Sequence, residues 1–127
     1  MVGIVIVSHS EKIAQGVVEL CRQMAPEVPM AAAGGLPGGE IGTDFERIYE
    51  AVESVMGEDG VVVLFDLGSA LMTTEMVMEQ FEEGKVLLAD APIVEGAVIA
   101  SVSASMGLSL EDVVKEAHTA VESPKIQ

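Results

Sequence analysis

A histidine between two serines, directly after an apolar run, is the feature of this sequence with the clearest chemical potential. Residues 2–7 read Val-Gly-Ile-Val-Ile-Val, and Ser8, His9 and Ser10 follow them. A short run rich in β-branched residues predicts a buried strand of a parallel sheet. Because open α/β sheets bind ligands at the carboxyl ends of their strands, we expect His9 at the edge where such folds carry their chemistry.

Asp66 follows a second apolar run, Val61–Phe65, and is the best-placed partner for His9. A carboxylate that accepts a hydrogen bond from the Nδ1–H of an imidazole leaves Nε2 as the nucleophile. A helix beginning beside His9 would disfavour the imidazolium form and offer free N–H groups to phosphate oxygens. Further donors are expected from neighbouring loops, at Gly34, Gly35, Thr43, Gly68 and Ser69. Together these residues predict a phosphohistidine site.

Each of these residues also has an ordinary structural explanation. A histidine flanked by serines at a helix start is equally typical of a polar turn, and Asp66 could simply end its strand or cap the next helix. The Gly34–Gly42 loop has neither a Gly-Lys-Ser/Thr motif nor a GxGxxG directly after the first strand, so it is no recognised nucleotide cradle. His118, among acidic and small residues, is expected on the solvated surface.

The charge of the chain excludes several classes of partner. Twenty-one acidic residues against six basic ones give a net charge of −15, which repels phosphate backbones and argues against nucleic-acid binding. Such a surface favours docking to a basic protein, or it simply keeps the chain in solution. With no Trp, one Tyr and three Phe, the chain lacks stacking platforms for a flavin or for bases.

Composition also bears on compartment and cofactors. The single cysteine, Cys21, cannot form an internal disulfide, suits a reducing cytoplasm and is expected to be a buried structural thiol. No apolar segment approaches the ~20 residues of a membrane span, and the amino terminus lacks the basic flank of a signal peptide. No His, Cys and carboxylate cluster has metal-ligand spacing, so neither a metal nor a cofactor is predicted. The methionines Met72, Met76 and Met78 are expected in the core or in a dimer contact.

Strands and helices alternate along the 127 residues, which are expected to form one domain. The predicted strands are Val2–Val7, Pro29–Ala33, Val61–Phe65 and Val86–Ala89. The predicted helices are approximately Ser10–Met24, Thr43–Met56, Ser69–Glu82, Ile93–Met106 and Ser109–Glu122, with a frayed tail at Ser123–Gln127.

Local signals place the helix starts and the buried faces. Capping boxes are predicted at Ser8 with Glu11 and at Thr43 with Glu46, and Ser69 and Ser109 are predicted to cap later helices. Apolar stripes predict the buried faces: Ile13, Val17, Leu20, Cys21 and Met24 in the first helix, Phe45, Ile48, Tyr49, Val52, Val55 and Met56 in the second, and Leu71, Thr74, Val77, Met78 and Phe81 in the third.

This alternation predicts an α/β fold, a three-layer sandwich with a mainly parallel four-stranded sheet and helices on both faces. The expected strand order is 2-1-3-4, the flavodoxin-like winding. In that order the first and third strands are neighbours, and His9, Gly34, Gly35 and Asp66 gather at one edge although they are distant in sequence.

Other proteins built on similar sheets lack counterparts here. A receiver domain needs an acidic pair after its first strand, and a flavodoxin needs a hydroxyl-rich phosphate loop with aromatic rings. A histidine phosphatase clamps phosphate with arginines, whereas Arg22 and Arg47 are both predicted within helices and away from the site edge. A site without such cations would hold a phosphoryl group on dipoles and N–H groups, which favours transfer to another protein over hydrolysis.

Three segments resemble a known family: Val-Ser-His-Ser, Gly-Gly…Glu-Ile-Gly-Thr and Leu-Phe-Asp-Leu-Gly-Ser. Together they are similar to the mannose-type enzyme IIA domains of the bacterial sugar phosphotransferase system. The similarity is closer to the phosphotransferase (M) subunits of phosphoenolpyruvate-dependent dihydroxyacetone kinase, and it covers essentially the whole chain, 1–127.

The resemblance implies a cytoplasmic homodimeric carrier. Its histidine would take phosphate from phospho-HPr and pass it to ADP bound in a partner (L) subunit, while a third (K) subunit binds dihydroxyacetone. By position, His9 matches the phosphorylated histidine, attacking through Nε2, and Asp66 matches the acid beside it. The surrounding loops match at Gly34, Gly35, Gly42, Thr43 and Ser69.

Two alternatives to the kinase subunit stay open. One is an enzyme IIA domain serving a mannose-family sugar permease, which would be expected to continue into a IIB-type domain. The other is a non-catalytic binding or regulatory module in which His9 has no chemical role. Since the sequence is not followed by HPr-like or enzyme I-like domains, the donor is expected to be a separate protein. No fifth strand of the kind that mannose-type domains exchange between subunits is identified, which leaves the dimer geometry undetermined.

Overall fold

Four parallel strands form the centre of the protein, which a computed structural model describes over residues 1–126. The strand order is β2-β1-β3-β4, as the sequence predicts. The strands are β1 (Gly3–Ser8), β2 (Met30–Gly34), β3 (Val61–Phe65) and β4 (Val86–Leu88). The helices are α1 (Glu11–Met24), α2 (Phe45–Val55), α3 (Ser69–Met78), α4 (Ile93–Ser105) and α5 (Leu110–His118), and a short 3₁₀ helix, Thr119–Glu122, follows α5.

The two central strands, β1 and β3, are buried on both faces because both carry apolar side chains at nearly every position. Ile4 and Ile6 point into a core formed with α1, α4 and α5. Val5 and Val7 point the other way, into a core formed with α2 and α3. The period-two alternation of side chains along β1 therefore builds both cores, and the predicted three-layer sandwich is confirmed.

The starts of α1, α2 and α5 differ from the prediction by one or two residues, whereas α3 and α4 begin where the sequence predicts. Ser10, not Ser8, caps α1 by accepting a hydrogen bond from the N–H of Ile13, and Asp44, not Thr43, caps α2. Ser8 instead ends β1, and Ser69 makes no capping hydrogen bond. Only the predicted Ser109 cap is present, accepting from the N–H of Asp112 at the start of α5.

The helix faces and ends also correct parts of the prediction. In α1 the side chains of Ile13, Leu20 and Met24 are exposed, because Ala14 and Val18 complete the buried face with Val17 and Cys21. The third helix ends at Met78, short of the predicted Glu82. Residues 123–126 form no helix or strand, in line with the predicted tail, and Gln127 lies outside the described residues.

Two further expectations can be placed on the fold. Cys21 is buried in α1, and that burial raises the pKa of its thiol, as expected for a structural cysteine. Across residues 1–126, none of the helices combines the length and apolar character that a membrane crossing requires.

A close backbone approach joins β2 to the start of α1. Gly34, the last residue of β2, pairs in register with Ser8 of β1. A Cβ at Gly34 would lie 2.5 Å from the carbonyl oxygen of Ser10 and 2.8 Å from Cα of Glu11, distances shorter than any ordinary contact. Glycine is therefore required here by lack of space, and it allows α1 to begin directly against the edge of the sheet.

We predict that Gly34→Ala lowers the free energy of unfolding by roughly 1–3 kcal/mol, because the backbone of β2 or α1 must shift to admit a methyl group. Chemical denaturation monitored by circular dichroism measures the change. Gly57→Ala is the matched control, since a Cβ at Gly57 would meet nothing within 4 Å. Equal stability of the two variants would contradict the proposed packing constraint.

Candidate active site

The sheet brings three distant segments together at the carboxyl ends of β1, β2 and β3. Val7 is paired with Phe65 and Ser8 with Gly34, so His9, Asp66 and Gly35 each follow directly at this edge. Three backbone hydrogen bonds join the segments: Gly35 N–H donates to Ser8 O, Gly42 N–H to His9 O and Asp66 N–H to Val7 O. The backbone at His9 is therefore held from both neighbouring strands.

The Asp66 carboxylate accepts four hydrogen bonds and sets the position of the histidine. Its Oδ1 lies 3.0 Å from Nδ1 of His9 and accepts from the N–H of Leu67 at 2.8 Å. Its Oδ2 accepts from the hydroxyl of Ser8 at 2.8 Å and from the N–H of His9 at 3.0 Å. Both side chains are largely covered, with 20% of His9 and 14% of Asp66 exposed.

These contacts decide the charge of Asp66. Burial raises the pKa of the carboxyl group, but the hydrogen bonds from the His9 ring and N–H, from Ser8 and from Leu67 outweigh it, so the pKa lies below its ordinary value. The carboxylate is ionised at neutral pH and accepts the proton on Nδ1. The lone pair of the imidazole is then on Nε2.

Nε2 of His9 faces the start of α3. The hydroxyl oxygen of Ser69 lies 2.8 Å from Nε2, and since Nε2 carries the lone pair, Ser69 donates this hydrogen bond. Ser69 is exposed and is the first residue of α3, while α1 begins two residues after His9. The amino termini of two helices therefore lie beside the ring, and the positive ends of their dipoles favour an anion at this position.

Ser8 is a site residue that the sequence analysis placed in another role. Its buried hydroxyl donates to Asp66 and accepts from the N–H of Ser10, so it joins the carboxylate to the turn that carries His9. Ser8 is the last residue of an apolar strand, and this position is the sequence signal that indicates a buried hydroxyl. The predicted capping function belongs to Ser10 instead.

The glycine loop shapes the turn at His9 more than it offers free donors. Gly35 has a positive φ of 69°, and its N–H is already bonded to Ser8 O, as that of Gly42 is to His9 O. Thr43 lies 3.4 Å from Thr73, oxygen to oxygen, which connects this loop to α3. Gly34, Gly35 and Gly42 are thus at the edge where the sequence predicts them, with the N–H groups of Gly35 and Gly42 already used in protein contacts.

Arg47 corrects one prediction. The sequence analysis placed it away from the site edge, yet its Nη1 donates to Oε2 of Glu11 at 2.9 Å and lies 3.3 Å from the carbonyl oxygen of Gly34. The side chain extends from α2 across β2 to the first residue of α1. Arg22, the other arginine, contacts Met30 at the opposite end of β2.

Four exposed apolar side chains belong to segments that adjoin the site and are called the apolar rim: Ile41 in the glycine loop, Leu67 beside Asp66, and Met72 and Met76 on α3. Met72 and Met76 are solvent-exposed because α3 buries Ala70, Thr74 and Val77, so the expected core position is wrong for both, and the expected dimer contact stays a prediction. Exposed apolar patches are typical of surfaces that contact another protein.

Other candidate ligands lie elsewhere or form no cluster. His118 is exposed on α5, with Nδ1 2.7 Å from the carbonyl oxygen of Asp90. In the described part of the chain, no three His, Cys, Asp or Glu side chains are grouped so that they could hold a metal ion. The hydroxyl of Ser69 beside Nε2 of His9 and the two nearby helix starts suit the oxygens of a phosphoryl group.

We predict that Asp66→Asn lowers the free energy of unfolding by roughly 1–3 kcal/mol at pH 7, because charge-assisted hydrogen bonds are lost. Since the folded-state pKa of Asp66 is depressed, this contribution is complete above the ordinary carboxyl pKa of about 4 and is lost as the pH falls through the lower folded value.

Denaturation curves of the unmodified protein and of Asp66→Asn between pH 7 and 2.5 measure the difference in the free energy of unfolding. This difference should shrink below about pH 4. The exposed Asp90, whose side chain has no recorded partner in residues 1–126, provides the control variant Asp90→Asn. A difference for Asp66→Asn that stays constant with pH would contradict the ionised, hydrogen-bonded carboxylate.

Comparison with known proteins adds an independent line of evidence. The family model described as EIIA-man, PTS system fructose IIA component, matches residues 3–114. The chain is 40% identical over 134 residues to the phosphoryl donor subunit DhaM of the PEP-dependent dihydroxyacetone kinase of Klebsiella michiganensis, covering 100% of this chain and 28% of that protein. It thus spans less than a third of the length of that relative.

A shorter relative and a solved structure match over almost their whole lengths. The phosphotransferase subunit DhaM of the PTS-dependent dihydroxyacetone kinase of Lactococcus lactis is 40% identical over 114 residues, 90% of this chain and 91% of that one. The crystal structure of EF1359, a protein of unknown function, superposes with a TM-score of 0.82 at 27% identity, covering 100% and 99% of the two chains. The chain therefore belongs to the EIIA-man family of the phosphotransferase system and, within it, to the DhaM-like subunits.

Proposed function

We propose that this protein is a phosphohistidine carrier. His9 would accept a phosphoryl group from phospho-HPr and pass it to ADP bound in the L subunit of a dihydroxyacetone kinase. The observation that carries the proposal is the position of the His9 ring, with Nδ1 hydrogen-bonded to ionised Asp66 and Nε2 directed at the hydroxyl of Ser69. In this arrangement the lone pair on Nε2 would be the nucleophile.

In the proposed transfer, the Nε2 lone pair of His9 forms a bond to phosphorus as the bond between phosphorus and the donor histidine breaks. The electron pair of the broken bond returns to the donor imidazole, so no oxidant, metal or water is consumed. The proton on Nδ1 stays between His9 and Asp66, which stabilises the positive charge that develops on the ring.

Ser69 would change its hydrogen bond during this step. In the free protein its hydroxyl donates to Nε2, and a phosphoryl group on Nε2 must displace that bond. The exposed hydroxyl can then donate to a phosphoryl oxygen instead, together with the N–H of Ser69, since the N–H groups of Ala70 and Leu71 already donate to Leu67 and Gly68. Donors already in place would stabilise the transferred group without a rearrangement of the backbone.

The surface around His9 supports exchange with other proteins. The exposed apolar rim of Ile41, Leu67, Met72 and Met76 offers a contact area, and the net charge of −15 favours partners with basic surfaces. We further propose a homodimer acting in the cytoplasm, as the resemblance to the family implies. The phosphoryl group on His9 would be transferred to a docked acceptor protein rather than to water.

The names of the relatives favour the kinase over the permease. Seven curated relatives match, and all are called phosphoryl donor or phosphotransferase subunits of a dihydroxyacetone kinase. The family description, PTS system fructose IIA component, supports the second candidate, an enzyme IIA component of a sugar permease. The two candidates share the same histidine chemistry and differ only in the acceptor.

We predict that the protein becomes labelled at His9 when it is incubated with phosphoenolpyruvate, enzyme I and HPr, and that the label is acid-labile. His9→Ala should abolish the label, and Asp66→Asn should slow it by roughly 100-fold, because the tautomer of the ring is no longer fixed. Labelling is followed by the change in electrophoretic mobility and by ³¹P NMR. His118→Ala is the control and should label normally; label that survives His9→Ala would rule out the carrier function.

The acceptor is identified by a second experiment. Addition of ADP-loaded L subunit, K subunit and dihydroxyacetone to the labelled protein should discharge the phosphohistidine and form glycerone phosphate, measured by its enzymatic reduction. In a parallel reaction, a mannose-type IIB domain should not be phosphorylated. Transfer to IIB without glycerone phosphate formation would establish the permease alternative, and a protein that phosphoenolpyruvate, enzyme I and HPr do not label would be a binding module.

A further inference from the structure

One ion pair lies directly behind the turn that carries His9. Nη1 of Arg47 donates to Oε2 of Glu11 at 2.9 Å and reaches the carbonyl oxygen of Gly34 at 3.3 Å. Glu11 is the first residue of α1, and Gly34 is the last residue of β2. The guanidinium of α2 thus contacts two elements that end or begin beside the histidine.

The negative charge of Glu11 is unfavourable for a phosphoryl group at this site. A carboxylate in the first turn of a helix stabilises that helix, because it faces the positive end of the dipole. The same carboxylate belongs to the second residue after His9. It would repel a phosphoryl group on Nε2, whose oxygens carry two negative charges. Asp66 already places one anion beside the ring, so an uncompensated Glu11 would add a second.

We propose that Arg47 is a positioning residue that neutralises Glu11 and holds its carboxylate towards α2, so that the edge can accept a dianionic phosphoryl group. This inference deepens the proposed function and rests on His9 as the accepting residue. Because Nη1 also approaches Gly34 O, Arg47 fixes the start of the glycine loop, whose Gly42 N–H binds His9 O.

A purely structural role does not account for the pair equally well. The Arg47 side chain is 34% exposed and that of Glu11 is 37% exposed. Exposed ion pairs of this kind contribute little to the free energy of folding, since solvent screens the charges and the side chains lose entropy. The main consequence of the pair is the location of two charges next to the site.

Substitutions of the two partners are expected to have opposite effects on the rate of His9 phosphorylation. Arg47→Met keeps most of the aliphatic stem but leaves Glu11 uncompensated, and it should slow phosphorylation of His9 by roughly tenfold. Glu11→Gln removes the repelling charge and leaves Arg47 in place, so it should label at least as fast as the unmodified protein. The double variant should recover to within about threefold of the unmodified rate, because neither charge remains.

The probe is phosphoramidate, a small donor that phosphorylates imidazole nitrogens without a protein partner. The initial rate of phosphohistidine formation at His9 is followed by ³¹P NMR for each variant, and thermal unfolding is measured in parallel. Arg22→Met is the matched control, since Arg22 contacts a backbone carbonyl at the opposite end of the same strand. Arg47→Lys keeps the charge and should retain most of the rate, which provides a readout if Arg47→Met folds poorly.

Each outcome decides the inference. Slow labelling of Arg47→Met with recovery in the double variant supports it. Equal slowing of Arg47→Met, Glu11→Gln and the double variant would show that the pair is merely structural and would overturn the inference. The inference would also be overturned if the unmodified protein labelled no faster than Arg47→Met. The proposed function fails separately: a protein that phosphoramidate labels at His9, with the expected variant order, but that phospho-HPr does not label, keeps the charge role of Arg47 and loses the carrier assignment.

Discussion

The four hydrogen bonds accepted by Asp66 are the constraint on which the site depends. Two come from side chains, Ser8 and the ring of His9, and two from the N–H groups of His9 and Leu67. The hydrogen bonds of the Asp66 carboxylate therefore depend on the alignment of β1 with β3. A shift by one residue would separate the carboxylate from its donors Ser8 and His9 at the end of β1. The orientation of the imidazole is coupled in this way to the register of the sheet.

The electrostatics of the site follow from the same alignment. A chain of net charge −15 is a poor general host for phosphate, so local dipoles must provide the attraction that the net charge does not. The starts of α1 and α3 meet at His9, and the one carboxylate in contact with the ring is fully occupied by donors. In the proposed function the two helix starts would attract the phosphoryl group within an otherwise acidic surface.

Much of this arrangement could be predicted from sequence, and the predictions that were wrong failed for a physical reason. The apolar runs before His9 and Asp66 predict two buried parallel strands, and the alternation of strands with helices predicts the order that makes them neighbours. The capping predictions were wrong for Ser8 and Ser69 because tertiary partners, Asp66 and His9, compete with local capping. Arg47 was misplaced because its long side chain reaches across a strand, which helical position alone does not indicate.

The division between buried and exposed groups supports a carrier more than a hydrolase. The groups that set the ring, Ser8 and Asp66, are covered, whereas Ser69, Leu67 and Met72, which lie where a docked protein would touch, are exposed. A donor and an acceptor can therefore use the same Nε2 in turn without any change in the groups that tune it. In the proposed carrier function a partner protein would reach Nε2 from the surface, while Ser8 and Asp66 keep the ring in the same orientation for donor and acceptor.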